Sequence, residues 1–327
     1  MSSPSRTVLA VGGAHIDRRG RVGGPFVPGA SNPGTMREEV GGGVFNAARV
    51  ITGRGARVAL MSARGGDAAG EAVAAAVASA GIEDLSGVYL DRTTASYTAI
   101  LDADGDVVAA LADMALYDAA FDRQLRRASA RERVAAADAV LCDANLSAAA
   151  LDRLAGLAAG TPLYAIAISP AKVGRLTPVA DRLACVFMNR REAAALTATA
   201  ADTPPQALVA ALRATGLARA VVTAGGDELI AFDDRALYRL TPPPPRRIAD
   251  VTGAGDALAG TMVDSLTAKI PFAEALRCGV AAAVLCLESR ATVADYDAQT
   301  FAQTLARVPP AASLPLPQDR MVSHDPA

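Results

Sequence analysis

The 327-residue chain has no tryptophan, and its aromatic share is only 4%. Any core made from it must be mostly Ala, Val, Leu and Ile, and a hydrophobic share of 51% supplies enough for a sizeable one. Histidine is nearly absent. His15 and His324 are the only two, and His324 lies in a polar, proline-flanked stretch near the C-terminus. A Ser-His-Asp triad or a histidine-rich metal centre therefore has little to be built from. The four cysteines, Cys142, Cys185, Cys278 and Cys286, match no usual zinc spacing. The last two read as positions of one helix, and all four as buried, reduced thiols. Neither charge sign dominates. The formal net charge is −2 and the basic residues are scattered, which argues against a nucleic-acid partner. The opening "MSSPSRTVLAVGG" lacks a basic start followed by a long apolar run, and Asp, Arg or Glu interrupt the most apolar stretches. The expectation is a cytoplasmic protein with no signal peptide and no membrane partner. No Gly-x-x-x-x-Gly-Lys-Ser/Thr occurs, which excludes a P-loop, and "VGGAHID" lacks the Gly-x-Gly-x-x-Gly spacing of a dinucleotide site.

What is present is alternation. "TVLAVGGAHID" reads as a buried first strand, with Asp17 at its end, and "NAARVITGRG" as a helix stopped at Gly53 or Gly55. "RVALMSARGG" is a strand and "DAAGEAVAAAVASAG" a helix ending at Gly81. Further strands follow at "AVLCDANL", "PLYAIAIS", "CVFMN" and "RAVVTAGGD", with helices at "SAAALDRLAGLAAG", "RREAAALTA", 256–268 and 272–288. Strands alternating with helices predict an α/β fold, a parallel sheet covered on both faces. Two stretches break the pattern. Residues 18–39 are rich in Gly, Pro, Ser and Arg and read as loops and short exposed strands. "SYTAILDADGDVVAAL" has two apolar arms around Asp104-Gly105, which predicts a tight two-residue hairpin outside the main sheet. "ELIAFDD" and "ALYRLTP" read as paired edge strands. There is no internal repeat. One domain is expected over 1–308, with a loosely packed, proline-rich tail over 309–327.

The stretch "ADVTGAGDALAG" (249–260) carries the chemistry. Gly253 and Gly255 let successive amides turn one way, and the helix that follows adds its free N-terminal N–H groups. The backbone of Gly253, Ala254 and Gly255 thus forms an anion hole. Asp256 stands beside it in the first helical turn. A carboxylate next to an anion hole repels phosphate at rest. It makes sense as the base that takes a proton from a hydroxyl attacking phosphorus, while the amides hold the transferred group. The plainer alternative is a helix N-cap Asp after a glycine-rich turn.

"DVTGAGDALAG" resembles the C-terminal signature of the PfkB, or ribokinase-like, family of sugar and nucleoside kinases. An N-terminal counterpart agrees with it. "VGGGVFNAARVITGRGARVALMSARGGDAAGE" resembles the family's paired glycines (Gly41, Gly42), an Asn four further on (Asn46), and Gly65-x-Asp67-x-x-Gly70. The resemblance spans about residues 6 to 308. It implies a ribokinase-like three-layer α/β/α fold with a mostly parallel central sheet and a small β-sheet lid from about 15–40 and 91–112. It implies ATP as phosphoryl donor, Mg2+, and in many relatives K+. Residue by residue, it implies Asp256 as base, 253–255 as anion hole, and Asp17, Gly42 and Asn46 around the acceptor. "NRRE" resembles the family's Asn-x-x-Glu, with Asn189 at the nucleotide and Glu192 reaching Mg2+ through water; the alternative is a helix cap. "VVTAGGDE" resembles the nucleotide loop, with Thr223 and Gly225 matching and Glu228 standing where a glycine is usual. Thr252 adjoins the nucleotide, and Asp250 with Thr252 matches a monovalent-cation position.

For the acceptor, Ser31-Asn32-Pro33-Gly34 resembles the base-contacting lid segment of the family's pseudouridine kinases; alone, it is also a turn. "AISPAKVGRL" with Ser169 and Lys172, "CDANL" with Asp143 and Asn145, and "LESRATV" agree with that branch. His15 departs from the usual Asn two before the sugar Asp, and Phe45 from that branch's Arg. Thr98, on the first hairpin arm, is placed to reach the substrate. Lids of this kind pair between subunits in relatives, which implies a homodimer. Another nucleoside, ribose or a ketose is the alternative acceptor. A ligand-binding member of the fold without catalysis is the alternative class.

Overall fold

The structure is a computed structural model that describes residues 6–317. The chain runs through β1 (Thr7–Val11), β2 (His15–Val22), β3 (Gly34–Gly41), α1 (Gly43–Gly53), β4 (Arg57–Met61), β5 (Ala63–Gly65) and α2 (Ala68–Ser79). Next come β6 (Glu83–Asp84), β7 (Gly87–Tyr89), β8 (Ser96–Leu101), β9 (Val107–Asp113), α3 (Ala115–Leu125) and α4 (Ala128–Ala136). The middle holds β10 (Ala139–Asp143), α5 (Ala148–Leu157), β11 (Leu163–Ile166), a 3-10 segment (Val173–Arg182), β12 (Cys185–Asn189), α6 (Arg190–Thr197) and α7 (Pro205–Ala214). The last part holds β13 (Ala220–Thr223), β14 (Leu229–Phe232), β15 (Leu237–Leu240), α8 (Ala254–Thr267), α9 (Phe272–Leu287), α10 (Ala298–Arg307) and β16 (Ala312–Leu314).

Ten strands form one sheet in the order β16-β15-β14-β13-β12-β11-β10-β1-β4-β6. The strands from β13 to β6 are parallel, and β14, β15 and β16 continue the sheet antiparallel. The central strands are apolar on both sides because helices cover both faces. Alternate residues go to different cores. Leu9, Val11, Val140 and Cys142 face α3, α5 and α7, whereas Val8, Ala10, Ala139 and Leu141 face α1, α8 and α9. This is the three-layer arrangement expected.

A second sheet of four strands, in the order β3-β2-β8-β9, comes from residues 15–41 and 96–113. Asp17 belongs to it. It sits on β2, antiparallel to β3, and not at the end of the first strand, because Gly12 and Gly13 break the chain before it. The hairpin at Asp104-Gly105 is longer than a two-residue turn. Asp102 accepts from the amides of Asp104 and Asp106, and of the two central residues only Gly105 has positive φ. The β14–β15 pair is not the sheet edge either. β16 adds outside β15, so part of the stretch expected to pack loosely is held by strand pairing. His324 lies outside the described residues.

Close helix packing brings the walls of the site together. A Cβ on Gly260 of α8 would lie 2.6 Å from Ala47 O of α1, and one on Gly279 of α9 would meet Met262 Cγ at 2.8 Å. The small residues of "DALAG" thus let α1 and α8 touch by backbone. The four cysteines are free thiols, with Cys278 and Cys286 both on α9 as expected, but only Cys142, Cys185 and Cys286 are buried; Cys278 is half-buried.

Candidate active site

The carboxyl ends of β11, β12 and β13, with the segments after β1 and β10, open into a cavity of about 450 Å³. This is where a parallel sheet places its ligands. The small sheet borders the cavity through Asp17, Tyr97 and Ala112.

Asp256 lies in the first turn of α8, which starts after Gly253. Gly253 has φ 80°, and a Cβ there would collide with Thr292 O at 2.1 Å, so no other residue fits this turn. Gly255 has open space where its Cβ would be, and it lines the cavity beside Thr252 and Asp256. The first amides of a helix have no acceptor within it, so this turn presents N–H donors. Gly253 and Ala254 shape the turn, and Gly255 is the glycine of the three that faces the cavity. Asp256 Oδ2 accepts from Asn46 Nδ2 at 2.9 Å. Burial pushes the Asp256 carboxyl up to about 7; the Asn46 hydrogen bond works against this, and the charges of Asp143, Asp17 and Glu192 add to it.

Asn46 is not a helix cap. It sits inside α1, buried, and its other amide atom, Oδ1, has no partner among the described residues. A buried acceptor left open in a cavity wall is a place for a hydroxyl donor. Gly42 precedes α1 with φ 116°, and a Cβ there would strike Gly13 O at 2.3 Å. Asp17 faces the cavity from β2, and His15 Nε2 lies 3.3 Å from Asp17 Oδ1. Beyond it, Asp143 is fully buried and accepts from Gly13 N, Asn145 N and Asn145 Nδ2. Burial raises its carboxyl, with these hydrogen bonds opposing. Lys172 Nζ donates to Asn145 Oδ1 at 2.6 Å, and burial lowers its ammonium despite the pull of Asp143. Lys172, Asn145 and Ser169 make this end of the cavity polar.

At the other end Asn189 and Glu192 form a reciprocal cap on α6. Asn189 Oδ1 accepts from Glu192 N at 3.0 Å, and Glu192 Oε2 from Asn189 N at 2.7 Å. The capping alternative is thus realised, and both residues also line the cavity. Burial raises the Glu192 carboxyl. Oxygen donors of this kind suit a hydrated magnesium ion held chiefly by phosphates and water. Thr223 ends β13 at the cavity wall, while Gly225 lies just outside it in an open turn with φ 64°. Glu228 turns away and pairs with Arg239 at 2.6 Å, so its carboxylate does not enter the cavity. Asp250 accepts from Thr252 N and faces Arg19 of β2 at 3.5 Å. A monovalent cation at Asp250 and Thr252 would compete with that guanidinium, so the residues do not fit such an ion well.

Three expected contacts are not made. Thr98 points to the opposite face of β8 from Tyr97, and Tyr97 is the one that lines the cavity, because neighbours on a strand alternate. Ser31 and Asn32 lie outside the cavity. The Asn32 amide closes its own loop, donating to Val27 O and Ala30 O and accepting from Val27 N. Phe45 is buried against Arg49 and belongs to the core. Sequence reasoning missed Tyr97, Ala112, Met114 and Ile168. Ile168 has φ 69°, and Ser169 N donates to Ala167 O across it, a strained γ-turn for a β-branched residue. No sequence signal marks that turn.

Comparison with known proteins gives the family and the fold. The pfkB family carbohydrate kinase profile matches residues 5–299. "Pseudouridine kinase" of Escherichia coli (strain K12) is 30% identical over 282 residues, covering 83% of this chain and 87% of that protein. "Uncharacterized sugar kinase YeiI" of the same organism is 26% identical over 280 residues, 85% of this chain and 77% of that one. The solved "Carbohydrate kinase from Agrobacterium tumefaciens" is 43% identical with TM-score 0.83, covering 94% of this chain and all (100%) of that one. An Arabidopsis thaliana ribokinase complexed with ribose and ATP shares the fold at 20% identity and TM-score 0.80, over 93% of this chain and 99% of that one. With its fold and nearly its whole length accounted for, this chain belongs to the pfkB family of carbohydrate kinases.

Proposed function

We propose that this kinase transfers the γ-phosphoryl group of ATP to the 5′-hydroxyl of pseudouridine. The observation that carries the chemistry is Asp256, held by Asn46 and raised to about 7, beside the helix-start amides. The acceptor hydroxyl gives its proton to the Asp256 carboxylate and forms a bond to the γ-phosphorus. The bond from that phosphorus to the oxygen bridging it to the β-phosphate breaks, and ADP leaves. The amides of residues 253–256 carry the charge on the phosphoryl oxygens, a stabilisation that a pre-set helix terminus gives without rearranging. Asp17 and His15 take ring hydroxyls, Gly42 lets the sugar approach the backbone, and Asn46 Oδ1 accepts a further hydroxyl. Asn189, Thr223, Gly225 and Thr252 lie along the nucleotide. A magnesium ion, when bound, neutralises the phosphates, with Glu192 holding its water.

Two things support pseudouridine: the named relative at 30% identity, and the Lys172–Asn145–Ser169 end, where an ammonium and an amide suit base carbonyls and N–H groups. One observation favours a second reading, ribose, a ketose or another nucleoside. Ser31 and Asn32, expected at the base, lie away from the cavity. An acceptor panel with ATP and magnesium separates them. Pseudouridine should give the highest kcat/KM, and faster turnover of ribose would overturn the choice. Asp256→Asn should lower kcat by about 10²–10⁴ with acceptor binding largely kept. Unchanged turnover removes the assignment of the base. The small sheet is proposed to pair two chains as a homodimer.

A further inference from the structure

The acceptor end of the cavity rests on a buried group with no role so far. Tyr117, on α3, is 1% exposed. Its ring packs on Phe121 with centroids 5.3 Å apart. Its hydroxyl points instead at the segment that carries His15 and Asp17. It donates to Ala14 O at 2.9 Å and lies 3.2 Å from His15 Nδ1. A phenol has one proton to give. With that proton on the Ala14 carbonyl, the oxygen accepts from the Nδ1–H of the imidazole, and Nε2 donates to Asp17 when that second ring nitrogen also carries a proton. Burial holds the Tyr117 hydroxyl far above its ordinary range, and the charges of Asp143 and Asp17 add to this, so it stays protonated. The ring is thereby fixed in one orientation, the one that sets Nε2 3.3 Å from Asp17 Oδ1.

The backbone around this contact is held from other sides. Gly13 N donates to Asp143, Ala14 N to Ser62 Oγ at 3.1 Å, and Ile16 N to Ala95 O at 3.2 Å. The main chain is therefore set without Tyr117's help at Gly13 and Ile16, while the Ser62 hydroxyl that holds Ala14 also bonds the Tyr117 hydroxyl. What those bonds leave free is rotation of the His15 side chain, and Tyr117 removes it.

We propose that Tyr117 is a positioning residue for the acceptor: it sets the His15 ring, and the ring sets the Asp17 carboxylate. The proposal rests on the reading that Asp17 takes acceptor hydroxyls. Tyr117→Phe keeps the ring and its contact with Phe121 and removes one oxygen. With the fastest acceptor of the panel, its KM should rise about tenfold, the effect of one misplaced hydrogen-bonding group, with kcat and the KM for ATP changed less than about twofold. Tyr89→Phe is the control. It removes a hydroxyl that bonds Ala120 O of the same helix at 3.2 Å and should leave the acceptor KM alone. A nitrogen-resolved NMR spectrum gives a second readout. His15 Nδ1 should carry a slowly exchanging proton in the wild type and lose that protection in Tyr117→Phe. An acceptor KM that does not move, or a wild-type Nδ1 without a proton, overturns the proposal. Asp17→Asn measured alongside keeps the two ideas apart. If it raises the acceptor KM and Tyr117→Phe does not, only the positioning role fails. If Asp17→Asn has no effect, the reading of the acceptor site fails and this proposal with it.

Discussion

Asp256 is asked to be ionised in a place that resists ionisation. Its surroundings are enclosed and hold three other acids, Asp143, Asp17 and Glu192, and only the Asn46 amide favours the charged form. A base poised near the working pH is what general-base catalysis needs. Below about 7 the carboxyl holds its proton and cannot take another, so kcat/KM should fall as pH drops through about 7. Because Asp17 raises Asp256, Asp17→Asn should also move that limb to lower pH, beyond its effect on the acceptor KM. A pH–rate profile of both proteins checks this, and a limb staying near the ordinary Asp range would contradict it. At this scale the motif residues were legible. Gly253 and Asp256 stand in a local sequence whose spacing fixes their geometry, as do Gly42 and Asn46. The rest of the site was not, because it is set by pairing across the fold. Tyr97 rather than Thr98 faces the cavity through the register of β8 on β2. His15 owes its orientation to Tyr117, more than a hundred positions away in the chain.

Among the elements, the contact of α1 with α8 joins the two halves of the site. Asn46 and Asp256 are far apart in sequence and meet because Gly260 lets the backbones approach. The alternation of strands and helices made these elements readable. Their mutual distance was not, since a glycine inside a helix reads locally only as a weak helix former. Gly260→Val should therefore act at a distance. Its Cβ meets backbone at 2.6 Å, so one helix must shift. The expected cost is about 1–3 kcal/mol of stability, as for other overpacked sites. Activity should suffer separately. The Asn46 bond lengthens, Asp256 loses what holds its carboxyl down, and the limb of the pH–rate profile moves up. Gly156, in α5, has nothing within 4 Å of a Cβ, so Gly156→Ala should be neutral or stabilising and leave the profile in place. Denaturant unfolding with pH–rate measurements on both variants separates packing from catalysis. A Gly260→Val protein with lowered stability and an unmoved limb would show that α8 carries Asp256 without help from α1.

At the scale of the whole molecule, the small sheet is the part that does not complete itself. The main sheet is buried between two layers of helices, but β3 and β9, the two edges of the small sheet, are exposed along nearly their whole length. Long open edges invite pairing with another chain. The side turned away from the cavity carries exposed apolar side chains beside an Arg18–Glu38 ion pair. Gly20, Ile100 and Met36 share it, since a Cβ on Gly20 would touch both side chains, and Leu111 lies opposite Thr98 on the same side. Met36 is 56% exposed and Leu111 is 70% exposed. Apolar side chains on an open-edged sheet are the kind of surface a second copy covers. The proposed homodimer should therefore sediment at twice the chain mass at micromolar concentration, and a Met36→Lys, Leu111→Lys double variant should sediment as a monomer. Because the same four strands carry Asp17 and Tyr97 on their other side, loss of pairing should loosen the acceptor end first. The monomeric variant should show a raised acceptor KM with the KM for ATP close to wild type, since the residues proposed along the nucleotide lie at the ends of β12 and β13 and before α8, not in the small sheet. A wild-type chain that sediments as a monomer would remove the dimer. A monomeric variant with an unchanged acceptor KM would show that each chain holds its own small sheet in place.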